Sequence, residues 1–194
     1  MKINLIESFC NQSVGFVKVV VEDGSFGWGQ LSTYNTDITQ QILHRQVAPW
    51  VLGCDVSTPE MLGDTLDLVT EKEHKFPGSY LRRAMAGVDT AIWDLYGRQQ
   101  DKPVAALLGG SAGKVRAYAS SMKRDITPQD EAKRMCAFRD KFGFDAFKVR
   151  AGAEVGHNQD EWPGRTEQII ETMRRVMGDK ASLLIDANSC YTPE

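Results

Sequence analysis

The sequence has no apolar run near the roughly 20 residues that a membrane-spanning helix requires. Its opening stretch, Met1–Phe9, carries Asn4 and Glu7 where a secretion signal needs an unbroken apolar core. The expectation is a soluble, cytoplasmic chain with no membrane partner. An excess of positive charge is also missing: 23 Lys and Arg stand against 26 Asp and Glu, a formal net charge of −3. Proteins that grip phosphate backbones are usually basic, so nucleic acid is not an expected partner. Close cysteine pairs are absent too. Cys10, Cys54, Cys136 and Cys190 are scattered, which excludes a Cys-x-x-Cys zinc arrangement and argues against a disulfide framework. They read as independent small hydrophobes, mostly buried. The glycine run at Gly109–Gly113 follows a helical pattern rather than a strand, so it is not a dinucleotide fingerprint. Neither a Gly-Lys-Ser/Thr phosphate loop nor a Gly-x-Ser-x-Gly elbow occurs.

What remains is an ordinary globular composition, 42% hydrophobic and 25% charged over 194 residues, enough for a substantial core. The opening is strand-rich. Lys2–Phe9, Phe16–Glu22 and Phe26–Leu31 predict an antiparallel meander, with Val17, Val19 and Val21 alternating and a turn at Asp23-Gly24. Gly27 and Gly29 flank Trp28, predicting close backbone approach around one packed ring. A helix capped by Asn35 or Thr36 should carry Ile38, Ile42, Leu43 and Val47 and end near Pro49. Thr58-Pro59-Glu60 opens another, and Tyr80–Arg98 is the clearest, with Leu81, Ala84, Met85, Val88, Ile92 and Leu95 at threes and fours.

After Gly113 the rhythm becomes β-α-β-α-β. Strands are expected at Val115–Ala119, Asp145–Val149 and Ser182–Asp186, with helices from Thr127-Pro128 to about Phe142 and from Arg165 to Met177. Crossovers of that length join parallel strands. The boundary falls near residue 112, an α+β unit over 1–112 and an α/β unit over 113–194. A (β/α)₈ barrel needs roughly 200–250 residues, so the second unit reads either as a small three-stranded sheet or, preferably, as the opening portion of a truncated barrel.

Two polar groups sit at the ends of successive strands. Lys148 and Arg150 flank Val149, and alternation sends both to one face, where they suit a substrate carboxylate as catalytic groups, Lys148 as a proton-transfer group or point charge and Arg150 as a bidentate clamp. The plainer reading is a pair of surface cations bridged to Asp145 or Glu154. Asp186 follows the apolar Leu183-Leu184-Ile185, a run typical of a strand buried on both faces. It is a natural hard-oxygen ligand for Mg²⁺, with Asn188 able to assist, or else a turn former. The loop after Arg150, with His157, Asp160, Glu161, Trp162 and Arg165, is placed to reach over the same end.

Taken in order, Gly27-Trp28-Gly29, Leu81-Arg82-Arg83-Ala84 through Asp89-Thr90-Ala91-Ile92-Trp93-Asp94, Lys102-Pro103 with Leu107-Leu108-Gly109-Gly110, Phe147-Lys148-Val149-Arg150 and Ile185-Asp186-Ala187-Asn188 resemble the enolase superfamily. Within it, the likeness is to the mandelate racemase and muconate lactonizing group. The resemblance implies an α+β capping domain followed by the start of a modified (TIM-like) β/α barrel. It also implies a Mg²⁺-dependent removal of the proton α to a carboxylate, with the enediolate stabilised. Asp186 would be the first metal ligand, with the remaining ligands and the base beyond residue 194. Lys148 matches the first lysine of the family's Lys-x-Lys motif, and Asn188 a frequent neighbour of the metal ligand on the substrate side.

Arg150 departs from that motif by replacing its second lysine. Arginine stays protonated above pH 12 and is a poor base, which disfavours two-base racemisation and favours dehydration of a sugar acid. Racemisation, epimerisation, cycloisomerisation and a non-catalytic fragment are the alternatives. The resemblance also places two specificity loops at Cys10–Gly15 and Ser32–Asp37. There Asn11, Tyr34 and Asn35 either read substrate hydroxyls or serve ordinary turn chemistry. A homo-oligomer is expected of the full-length protein.

Overall fold

The computed structural model describes residues 1–193 and divides into two compact units, Met1–Gly113 and a second beginning at Lys114. In the first, β1 (Ile3–Cys10), β2 (Gly15–Val21) and β3 (Phe26–Leu31) form an antiparallel sheet in that order. The alternation of β2 puts Val17, Val19 and Val21 inside with Ile3, Ile6 and Leu31, all buried. The Asp23-Gly24 turn closes with Val21 N–H donating to the Ser25 carbonyl at 2.9 Å, and Gly24 takes φ 84, which a side chain would resist.

The helices of this unit are α1 (Thr36–Ile42), a π-helical turn at Leu43–Val47, α2 (Ala48–Val51), α3 (Pro59–Lys72), α4 (Ser79–Gln100) and α5 (Val104–Leu107). The inner face of the sheet lies on α4, whose Leu81, Ala84, Met85, Val88, Ile92 and Leu95 are buried as their spacing predicts. Contact is backbone to backbone: a Cβ at Gly27 would lie 2.0 Å from the Ala91 carbonyl oxygen, and one at Gly29 2.0 Å from that of Gly87. The glycines do mark a close approach, but Trp28 is not its packed centre. Its ring lies on the outer face against Phe9 and Phe26 and is partly exposed.

A second difference concerns the helix predicted to end near Pro49. The π turn shifts the register, so Thr39 is buried and Ile38 exposed, and helical winding resumes at Ala48. Pro49 then occupies the first turn of α2, where its missing N–H costs nothing. Nor are the cysteines mostly buried: Cys190 is buried, while Cys10, Cys54 and Cys136 are intermediate, and all are free thiols.

The second unit runs β4 (Ala119–Ser120), α6 (Pro128–Phe142), β5 (Ala146–Arg150), α7 (Arg165–Met177), β6 (Ser182–Asp186), with strands parallel in the order β4-β5-β6. Thr127 caps α6 by accepting from Asp130 N–H at 3.1 Å, and Gly143 ends it in the left-handed region. Helices α6 and α7 cover one face, where Met135, Ile169 and Met173 pack on Ala119, Phe147 and Val149.

The predicted first strand of this unit, Val115–Ala119, shrinks to Ala119–Ser120, and Val115 is 90% exposed, because Ala119 alone of that segment pairs with β5. β6 is not buried on both faces either. It has a neighbour on one side only among the described residues, and Leu184 and Ile185 remain exposed.

Candidate functional site

Phe147 and Val149 are buried under the helices of the second unit, and strand alternation therefore turns Lys148 and Arg150 to the opposite, open face. The register carries this across the sheet. Ser120 stands opposite Lys148 and Asp186 opposite Arg150, so Tyr118, Ser120, Lys148, Arg150 and Asp186 share that face. The cations do not bridge to Asp145 or Glu154; Asp145 pairs instead with Arg116. Both converge on one oxygen. Lys148 Nζ lies 3.2 Å and Arg150 Nη1 3.0 Å from Asp186 Oδ2, the latter an ionic contact without the alignment of a hydrogen bond.

The other carboxylate oxygen, Oδ1, accepts from the Asn188 backbone N–H at 3.0 Å in a turn that holds Asn188 at φ 50. Asp186 is thus both an ion-pair acceptor and a turn former. Asn188 meets it through its main chain, and its side chain is exposed.

The electrostatics follow from this convergence. Burial alone would raise the Asp186 carboxyl, but the Lys148 hydrogen bond, the Arg150 charge and the Asn188 N–H outweigh it and hold it below the usual carboxylate range. Lys148 is pushed up by its hydrogen bond to Asp186 and then by Tyr118, whose ring centroid lies 5.1 Å from Nζ. Lys148 is therefore firmly an ammonium and Arg150 a fixed cation, a pair suited to neutralising an oxyanion rather than to removing protons.

A buried layer supports this rim. Arg165, expected over the site in a loop, lies beneath it at 1% exposure, donating to the Arg150 carbonyl at 2.9 Å and to the Ile126 carbonyl at 3.3 and 3.4 Å. Arg134 pairs with the buried Glu131 at 3.0 Å and donates to the Ser121 carbonyl at 2.8 Å. Together they pin the β4–α6 loop, Ser121–Thr127. The β5–α7 loop is laced to the segment after β6. Asn158 Nδ2 donates to Thr192 Oγ1 at 2.7 Å, Thr192 N–H returns to Asn158 Oδ1 at 2.6 Å, and Asp160 accepts from Tyr191 and Thr166 hydroxyls. His157 stays exposed, 3.4 Å from Glu154. Sequence reading missed Arg124, Arg134 and the Asn158–Thr192 exchange. Lone polar residues carry no periodic signal, and the contacts that tie the loops, Arg134 to Ser121 and Asn158 to Thr192, span 13 and 34 residues.

In the first unit, Asn11 Oδ1 accepts from Ser13 and Val14 N–H at 2.8 and 2.9 Å, the turn chemistry that competes with ligand reading. Asn35 sits at φ 51 with Nδ2 donating to Tyr80 Oη at 2.9 Å, and Tyr34, at φ 65, is 75% exposed. Thr36 N–H bonds the Gln12 carbonyl at 3.2 Å, so the two predicted specificity loops are neighbours.

For a divalent ion, the described residues offer one hard carboxylate on the open face, and no cluster of three or more His, Cys, Asp or Glu is present among them. Asp186 has the right chemistry for Mg²⁺, but that ion needs several converging oxygens. By themselves, then, these residues do not make a Mg²⁺ site.

Residues 4–109, more than half of the chain, match the family model described as mandelate racemase / muconate lactonizing enzyme, N-terminal domain. The chain is 32% identical over 187 residues to an arabinonate dehydratase of Saccharolobus solfataricus, covering 91% of this chain and 46% of that protein. It is 30% identical over 183 residues to a D-galactarolactone cycloisomerase of Agrobacterium fabrum, covering 91% and 44%. A crystal structure from Roseobacter denitrificans, of a protein provisionally named a racemase, superposes with a TM-score of 0.95 at 70% identity, covering 100% of this chain and 52% of that one. The chain thus spans about half the length of these relatives.

Proposed function

The chain belongs to the mandelate racemase and muconate lactonizing enzyme family of the enolase superfamily, and from that premise we propose that the whole protein is an enzyme that removes the proton α to a carboxylate and dehydrates a sugar acid. The observation that carries this reading is the convergence of Lys148 Nζ and Arg150 Nη1 on Asp186 Oδ2. An incoming carboxylate competes with Asp186 for two cations already held at oxyanion distance. As the α proton leaves, the same cations meet the charge that grows on the carboxylate oxygens. Arg150 cannot act as a base, and Lys148 stands beside it as a second cation on Asp186, so both are assigned to the carboxylate charge. Proton removal then falls to a group outside the described residues.

Loss of the β-hydroxyl, protonated as it departs, leaves an enol that becomes the 2-keto acid, with one water released per turnover. Asp186 is the oxygen donor this chain would contribute to Mg²⁺, which when bound supplies positive charge at a carboxylate oxygen.

Cycloisomerisation or racemisation is the second reading, supported by the likeness to the galactarolactone cycloisomerase. Incubation of the full-length protein with a panel of aldonic and aldaric acids in D₂O separates them. Dehydration yields a 2-keto acid, whereas recovery of an α-deuterated or cyclised isomer without keto acid would reverse the order of the two readings.

A further inference from the structure

Among the described residues, the buried side-chain nitrogen and oxygen atoms without a hydrogen-bond partner are Ser120 Oγ, Arg124 Nε, Arg124 Nη2 and Arg150 Nη1. All of them belong to β4, β5 or the β4–α6 loop. Arg150 Nη1 has its ionic contact with Asp186; Arg124 has neither a hydrogen bond from these two nitrogens nor an ion pair among the described residues. Burying a guanidinium edge with nothing to receive its N–H groups is unfavourable, and native folds rarely leave such groups empty.

The identity of the two nitrogens is informative. Nε and Nη2 form the side-on edge of a guanidinium, the edge that presents two parallel N–H groups to the two oxygens of a carboxylate. The loop that carries them is held on the end of β5 from both sides. Met122 Sδ lies 3.8 Å from Arg150 Nη2, and Arg165 ties the Ile126 carbonyl to that of Arg150. Within it Met122 adopts φ 61, a left-handed conformation that is costly for its side chain and marks a loop shaped against local preference.

We propose that the side-on edge of Arg124 seats a second carboxylate of the substrate, so that the acid this protein acts on is a dicarboxylate. The proposal rests on the reading above, in which Lys148 and Arg150 receive the first carboxylate.

The test is calorimetric titration of the full-length protein in magnesium buffer with a matched pair of six-carbon acids, galactarate with two carboxylates and galactonate with one. Three forms are compared: the natural protein, Arg124→Gln and Arg124→Lys. Arg124→Gln is expected to weaken galactarate binding about tenfold or more while galactonate binding stays within about twofold, and Arg124→Lys to recover part of the loss, having charge without the fork. A structural role would show elsewhere. Removing an orphaned buried charge leaves the ligand-free melting temperature of Arg124→Gln unchanged or higher, so a clear fall in that temperature overturns the proposal. Equal weakening of both acids, or of neither, overturns it as well. Selective loss of galactarate binding in a protein that exchanges no α proton would remove the proposed reaction and leave the second carboxylate seat standing.

Discussion

Each unit builds a three-stranded sheet, and the two use their faces differently. In the first, the antiparallel sheet gives its inner face to α4, and two glycines bring helix and strand backbones into contact. Its charged pair, Lys18 with Glu7 at 3.3 Å, stays partly exposed on the outer face. In the second, α6 and α7 take one face of a parallel sheet, and the other carries two cations that each lie within 3.2 Å of one carboxylate oxygen. Packing on one side leaves the opposite side free for groups that a close-packed core would reject. The first sheet is organised by volume, the second by volume on one face and by charge on the other.

The sharpest break of this comparison is a methyl group at Gly29. Its Cβ would lie 2.0 Å from the Gly87 carbonyl oxygen and 2.5 Å from Thr90 Oγ1. The first obstacle is helix backbone, which cannot rotate away. Gly29→Ala is expected to cost about 3 kcal/mol or more in urea unfolding. On the open face of the second sheet, Ser120→Ala removes an unpartnered hydroxyl and is expected to change stability by less than about 0.5 kcal/mol. Comparable costs at the two positions would erase the distinction between the sheets.

A smaller effect is expected at Asp186, where charge rather than volume is at stake. Asp186→Asn leaves Lys148 and Arg150 facing each other without an acceptor of full charge. With the carboxylate about a quarter exposed, a loss of about 1.5 kcal/mol is expected at neutral pH after allowance for solvent screening. The sign with pH follows from the lowered carboxyl. A carboxyl whose folded value is depressed contributes stability that is present above its unfolded value near pH 4 and is lost as the pH falls through the folded value. The gap between natural protein and variant should therefore shrink below about pH 4. A gap that stays constant into acid would assign the effect to shape instead of charge.

Most of the scaffold was legible because it is periodic. The α4 stripe, the β2 alternation and the Thr-Pro helix openings each repeat a local rule, and the structure follows them. Lys148 and Arg150 could be placed on one face for the same reason: period two fixes parity within a strand. Asp186 could be placed only at a strand end, and it is the β5–β6 register that sets it opposite Arg150. The misreadings come from non-local causes. A π turn at Leu43–Val47 rotated a helix that looked continuous, and β6 has a neighbour on one side only among the described residues, which leaves Leu184 and Ile185 exposed there. The pattern rightly opens a helix at Arg165, but the burial of that side chain was not legible, because its acceptors are carbonyls of Ile126 and Arg150, groups that every residue possesses.

The smallest expected effect uses a device common to both units. Thr58 Oγ1 accepts from Met61 N–H at 3.3 Å to open α3, and Thr127 Oγ1 accepts from Asp130 N–H at 3.1 Å to open α6. Each Thr→Ala change should cost about 1 kcal/mol, so global stability would not tell the units apart. Their consequences should still differ, since Thr127 also donates to Asp130 Oδ2 at 2.7 Å and ends the loop that holds Arg124. Loosening that end lets the Ser121–Thr127 backbone sample more conformations, which lowers the affinity of an anion that needs the loop ordered. Amide hydrogen exchange across residues 121–127 should therefore quicken in Thr127→Ala and stay unchanged in Thr58→Ala. Equal exchange in the two variants would mean that Arg134 and Arg165 alone hold the loop and that the cap serves only its helix.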